Sequence, residues 1–188
     1  VVVPPTPAGE GNVYMLIIPQ ADRYWDTTHW KNLTNPEAGG YPSKKDDIAM
    51  IFMYGEKSMF VNTDITVGQI WIGVEGGNFY LRGQQGGEGA KTVTFERSDK
   101  EMPLFRISGL EQTDGVVLPW AIPHFYIQPS LKTPLIFDCS NDLLFDAGCP
   151  FDPSSREDVA GKSLQRVSLE TGFIFNIPNG GRVVFDGT

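Results

Sequence analysis

The densest grouping of side chains able to do chemistry lies between positions 138 and 152, where Asp138, Asp142, Asp146 and Asp152 stand at spacings of four, four and six. Ser140 and Asn141 fall among them, so the segment offers the hard oxygen ligands that calcium prefers. The spacing differs from an EF-hand loop, whose ligands come at every second position. A calcium site on these four aspartates is the expectation, set against the plainer reading of a solvated acidic loop. A β-helical enzyme that cleaves acidic polysaccharides would combine such aspartates with a basic residue, and Lys132 and Arg156 flank the segment. The paired carboxylates of a glycosidase could be drawn from the same set. Both selections draw on 23 acidic residues, too many for a pair to be distinctive, so the chain is expected not to be an enzyme.

A second grouping is aromatic. Trp120, His124 and Tyr126 sit in a weakly polar stretch punctuated by Pro119 and Pro123. They would form an exposed patch for a partner or a sugar, or else fill the core as large aromatics mostly do. The two prolines fit an edge strand or a corner between strands. His29 and His124 are the only histidines, so no zinc pattern of His and Cys is present. The Gly-x-Ser-x-Gly, phosphate-loop and dinucleotide signatures are missing as well. Cys139 and Cys149 would form a disulfide in an oxidising compartment or stay as thiols in a particle assembled in the cytosol. Asn32-Leu33-Thr34 matches a glycosylation sequon formally, but Asn32 reads as a turn residue.

Charge narrows the partners. The net charge is −8 and the longest basic run is Lys44-Lys45, so the electrostatic footprint of a nucleic-acid binder is lacking. No apolar run approaches the roughly 20 residues of a membrane-spanning helix, and no basic-then-apolar signal pattern opens the chain. The first residue is Val1 rather than Met, which fits an upstream segment having been removed or left out.

The elements that would position these side chains are strands. With 188 residues, 21 glycines, 14 prolines, 12% aromatics and no sustained helical periodicity, the chain reads as one all-β domain. Positions 48–54 are apolar on both faces, as in a strand buried on two sides. Between 65 and 72 the inward set shifts from Ile65 and Val67 to Ile70 and Ile72, so Gly68 marks a bulge or corner. Further apolar pairs recur at steps of eight to twelve residues: Val93/Phe95, Phe105/Ile107, Val116/Leu118, Phe125/Ile127, Leu135/Phe137 and Leu143/Phe145. Two or three such steps would make a solenoid coil of roughly 20 to 30 residues. Phe173, Phe175 and Ile177, then Val183 and Phe185, form two last strands joined by a hairpin or solenoid turn at 178–181. Residues 1–12, with Val1, Val2, Val3, Pro4 and Pro5 at their head, are expected to be an extended assembly arm, leaving 13–188 as the domain.

Trp25-Asp26, Trp30-Lys31-Asn32, Tyr41-Pro42, Asp46-Asp47 and Ile65-Thr66-Val67-Gly68 resemble the opening of secreted bacterial β-solenoid domains of the autotransporter-like and surface repeat kind. Trp30-Lys31-Asn32 departs from the Asn-Trp order usual there. The resemblance covers about the first 80 residues. It implies a Trp-rich N-terminal cap, with the Asp-Asp pair just before the first rung of a right-handed β-helix, and a closing Asn-Gly turn that resembles a last rung.

The resulting expectation is a short single-stranded β-solenoid, with a jelly-roll or β-sandwich as the alternative fold. Its function would be structural, in an extracellular, cell-surface or virion assembly such as a phage capsid decoration or tail protein. It would act by protein–protein contacts and as a homo-oligomer, with no nucleic acid, no membrane span and no cofactor other than a possible calcium ion. The alternatives are a carbohydrate-binding adhesin module and a calcium-dependent polysaccharide lyase or hydrolase.

Overall fold

The computed structural model describes residues 6–17, 24–54, 57–75, 79–83, 91–109, 123–126, 128–131, 133–139, 143–145, 173–176 and 183–185. The protein is all-β: these residues include fifteen strands and no helix. In order the strands are β1 (Val13–Ile17), β2 (Lys31–Asn32), β3 (Ile48–Tyr54), β4 (Lys57–Val61) and β5 (Ile65–Val67). Next come β6 (Gln69–Glu75), β7 (Phe79–Gly83), β8 (Thr92–Phe95), β9 (Leu104–Gly109) and β10 (Pro123–Tyr126). The last are β11 (Gln128–Leu131), β12 (Leu135–Cys139), β13 (Leu143–Phe145), β14 (Phe173–Asn176) and β15 (Val183–Phe185). Among the described residues no helix is long and apolar enough to cross a membrane.

The strands form three sheets, ordered β14-β12-β9-β6-β3-β1-β2, β15-β13-β10-β7-β4 and β11-β8-β5. From β3 onward the chain visits the three sheets in rotation, so β3, β4 and β5 lie in the first, second and third sheets, as do β6, β7, β8 and β9, β10, β11. Strands β12 and β13, then β14 and β15, continue the first two sheets. Every described pairing is parallel except β1 with β2.

In the first sheet Ile48 faces Gln69, Gln69 faces Leu104, and Leu104 faces Ile136. Only the first of these repeats falls within the spacing of 20 to 30 residues expected from the apolar rhythm; the later ones are longer.

In-register pairing stacks like upon like. One inward row of the first sheet runs Tyr14, Ala49, Ile70, Phe105, Phe137, and a second runs Leu16, Ile51, Ile72. Met59 and Leu81 face inward from the second sheet, and Val67, Phe95 and Leu131 from the third. All of these belong to one buried cluster. Phe105 and Phe137 touch as tilted rings 5.3 Å apart, a geometry worth about 0.5–1.5 kcal/mol beyond the area buried.

Several local expectations are met. Ile48, Ala49, Met50 and Ile51 are all buried, so β3 is covered on both sides. Gly68 separates β5 from β6 and is the corner between the third and first sheets. Pro123, expected at an edge or corner, instead opens β10, an interior strand of the second sheet between β13 and β7, where it is tolerated as the strand's first residue; Pro129 lies on β11, at the edge of the third sheet. Strands β14 and β15 pair with β12 and β13 rather than with each other, so positions 178–181 connect two sheets and make no hairpin.

Candidate functional site: the Asp46–Asp47 corner

The corner entering the first sheet gathers chain from four places. The carbonyl of Asn12 accepts from Ile48 N–H at 2.8 Å, and that of Asp47 accepts from Gly68 and Gln69 at 2.8 and 3.2 Å. Leu104 donates to Gly68 O at 3.4 Å, and Ile136 to Pro103 O at 3.0 Å. One column of backbone bonds thus begins at residue 12 and passes through each level in turn.

Two acidic side chains are buried here, and they do different things. Asp47 is only 1% exposed, and its carboxylate is fully used. Oδ1 accepts from Asn12 N–H at 2.9 Å, while Oδ2 accepts from Ser43 and Lys44 N–H at 3.0 Å each. Three backbone donors on one ionised carboxylate satisfy groups that would otherwise be buried without partners. Asp47 is a tie between the N-terminal segment and the loop before β3.

Asp46 is 4% exposed and holds a left-handed backbone, φ 71°. Aspartate tolerates that region better than most residues because its short side chain bonds locally. Its N–H donates to Glu96 O at 3.2 Å, and Oδ1 accepts from Ser98 N–H at 2.7 Å. Oδ2 accepts no hydrogen bond from a described residue. It borders a half-open cleft of about 360 Å³ lined by Gly9, Glu10, Lys44, Lys45, Asp46 and Ser98.

Glycines make this packing possible. A Cβ on Gly11 would lie 2.3 Å from the Asp46 carbonyl oxygen, and one on Gly68 would lie 2.9 Å from Asp46 Cα. Residues 9–12, the end of the segment expected to be an arm, are therefore seated against the body at Asp46 and Asp47.

The tryptophan segment lies over the same end. Trp25 and Trp30 are buried, with rings 5.3 Å apart and tilted. Trp25 Nε1 donates to Pro42 O at 2.8 Å, and Trp30 Nε1 donates to Trp25 O at 2.7 Å, so both indoles are satisfied. Trp25 N–H donates to Phe60 O at 2.8 Å, fixing the segment to β4. Tyr14 packs in the same core, and burial pushes its phenol above the ordinary range, with the negative charge of Asp47 adding to the effect.

On the other side of the first sheet a polar row runs through consecutive strands. Trp71, Arg106 and Asp138 face one another in register. The Arg106 guanidinium sits 4.9 Å from the Trp71 ring centroid, and Arg106 Nε is 3.5 Å from Asp138 Oδ2. Trp71 Nε1 donates to Gln69 Oε1 at 2.9 Å. Val13, Ile48 and Met50 form a small buried cluster beside this row, with Phe52 and Trp71 packed against it.

Of the residues expected to bind calcium, Asp138 lies on β12 against Arg106, while Asp142, Asp146 and Asp152 fall outside the described residues. Among the described residues no group of three or more His, Cys, Asp or Glu is placed to hold a metal ion. His124 lies on β10 in register between Tyr80 and Leu144, and Tyr126 lies opposite Arg82. Trp120, Lys132, Cys149, Arg156 and residues 1–5 are also outside the described set. In the sequence Asp46 and Asp47 stand out as an adjacent acidic pair, but their separate duties do not. The signal that was available is the close glycine pair Gly9 and Gly11 upstream of an Asp-Asp. No protein-family model, curated protein or solved structure matches this chain.

Proposed function

We propose that the chain is a short single-stranded β-solenoid that serves as a structural component of an extracellular or virion surface assembly, acting through protein–protein contacts. The observation that carries the reading is the rotation of consecutive strands through three sheets with parallel, in-register pairing. A jelly-roll or antiparallel sandwich would need antiparallel neighbours, and among the described residues only β1 and β2 pair that way. Stacked levels of this kind make a stiff rod whose sides and ends are available to neighbours.

The N-terminal levels also carry the features of a closed end. Trp25 and Trp30 cover the core there, and the Asp47 carboxylate pins the incoming chain. A rod closed at one end suits a unit that docks in one direction. The acidic net charge keeps such units soluble before assembly.

The test is the mass of the native protein in solution by light scattering, with and without a calcium chelator. A defined homo-oligomer or larger particle, unchanged by the chelator, is the expected result. A monomer at every concentration, or an assembly that dissolves in chelator, overturns the reading as stated.

A further inference from the structure

The cleft beside Asp46 has a charge pattern that nothing in the structural role uses. Its lining holds two carboxylates, Glu10 and Asp46, two ammonium groups, Lys44 and Lys45, the Ser98 side chain and the bare backbone of Gly9. No aromatic or aliphatic side chain is among them. Neither lysine is ion-paired to a described residue, although both border the same space as the two acids.

Asp46 is the unusual member. The residue is only 4% exposed, and one of its carboxylate oxygens is bonded to a described residue, by Ser98 N–H. The other, Oδ2, is open to the cleft, where a charged donor would serve it better than water. Position 9 keeps the approach open: a Cβ there would stand 3.0 Å from Asp46 Oδ2 and 2.7 Å from Ser98 Oγ.

We infer that this cleft binds a zwitterionic amino-acid unit, with its ammonium group on Asp46 Oδ2 and Glu10 and its carboxylate on Lys44 and Lys45. The four charged side chains sum to zero, so a ligand with one charge of each sign completes them without leaving any unmatched. A simple divalent cation fits poorly, because two ammonium groups share the lining and calcium wants six to eight oxygens. A phosphate dianion would face two carboxylates. The volume, about 360 Å³, lies at the small end of the range for ligand pockets and suits a unit the size of serine rather than a polymer segment. With no aromatic or branched aliphatic side chain in the lining, selectivity falls on the ammonium and carboxylate, and the ligand's own side chain points to solvent.

The experiment is an amide chemical-shift titration of the full chain with L-serine, N-acetyl-L-serine, L-serinamide, galacturonate and calcium chloride as separate probes. L-serine is expected to shift the amides of Gly9, Glu10, Lys45 and Ser98 in a saturable way. The acetylated and amidated forms, each missing one charge, should bind at least about tenfold more weakly, the equivalent of losing about 1.4 kcal/mol. The double variant K44A/K45A changes two exposed side chains, and should abolish saturation with the spectrum otherwise unchanged. Asp46→Asn keeps an acceptor for Ser98 and tolerates the left-handed backbone, and should weaken L-serine without altering the fold. Equal binding of N-acetyl-L-serine or galacturonate would overturn the proposal in favour of a plain anion site. Shifts produced by calcium alone, or no saturable shift with L-serine, would overturn it too.

Discussion

Gly11 lies so close to Asp46 that a single added methyl group would sit 2.3 Å from the Asp46 carbonyl oxygen, inside any normal contact distance. The contact joins a position near the start of the chain to the loop before β3, and it exists only because residue 11 has no side chain. Gly39 supplies the comparison, since a Cβ there would meet nothing within 4 Å.

Gly11→Ala should therefore destabilise the protein by about 1–3 kcal/mol through overpacking against backbone that cannot rotate away. Gly39→Ala should be neutral or stabilising by a few tenths of a kcal/mol, because it restricts the unfolded chain without a clash. Urea unfolding of the two variants side by side checks this. Equal midpoints would show that residues 9–12 are not seated as described.

Asp47 should be among the costliest single positions. Replacing it by alanine leaves the amides of Asn12, Ser43 and Lys44 without their acceptor. Hydrogen bonds to a charged group contribute about 1.5–3 kcal/mol each, so Asp47→Ala should cost at least about 3 kcal/mol after relaxation and water entry. Asp47→Asn should cost less, about 2 kcal/mol, since one oxygen remains but the amide turns a donor toward other donors. Hydrogen exchange at Asn12, Ser43 and Lys44 should speed up in both variants. Unchanged protection of these three amides would remove Asp47 from the role of tie.

How much of this was legible follows from where each constraint acts. Strand β3 was readable because Ile48, Met50, Ala49 and Ile51 are adjacent in sequence and jointly forbid a solvated face. Gly68 was readable because the apolar phase changes across it. The Arg106–Trp71 contact was not, since its register depends on how far the chain travels between levels, and those lengths vary. Asp47 stood out as half of an acidic pair, but its role as a tie was not readable, because Ser43 and Lys44 are local while Asn12 is brought to it only by the fold. The aspartates at 138–152 drew attention by spacing alone. The one described member, Asp138, is engaged with Arg106 across a parallel register that no local pattern reveals.

The buried tryptophan pair offers a further check. Trp30→Phe removes the donor to Trp25 O and leaves a void beside the Trp25 ring. A cost of about 2–4 kcal/mol is expected from the lost volume and the orphaned carbonyl together. The near-ultraviolet dichroism of the paired indoles should also collapse. A variant with wild-type stability and an unchanged spectrum would contradict the burial of this pair.

Deleting residues 1–5 separates docking from folding better than removing the whole of 1–12, because Asn12 both donates to Asp47 and accepts from Ile48. If residues 1–5 serve docking and not folding, the shorter deletion should leave the unfolding free energy within about 0.5 kcal/mol of the parent. If residues 1–5 bind a neighbouring copy, the mass in solution should fall at the same time. An unchanged oligomer would assign assembly to the sheet faces instead.

Tyr14 should contribute to the loss of stability at alkaline pH. Its phenol is held above the ordinary value near 10 in the folded chain, first by burial and then by the charge on Asp47. In the unfolded chain it ionises near 10, so above that pH the unfolded state has released a proton that the folded state keeps. The stabilisation from a neutral Tyr14 is therefore complete below pH 10 and is lost as pH rises from there through the higher folded value. Tyr14→Phe cannot ionise and should show a shallower fall. The sequence has six tyrosines, so the wild-type curve alone mixes several titrations, whereas the difference between wild type and variant isolates this one. Urea midpoints at pH 8, 9.5, 10.5 and 11 should run parallel at the first two and diverge at the last two. Parallel curves throughout would mean that Tyr14 is solvated, and would loosen the packing of β1 against β3 on which the corner depends.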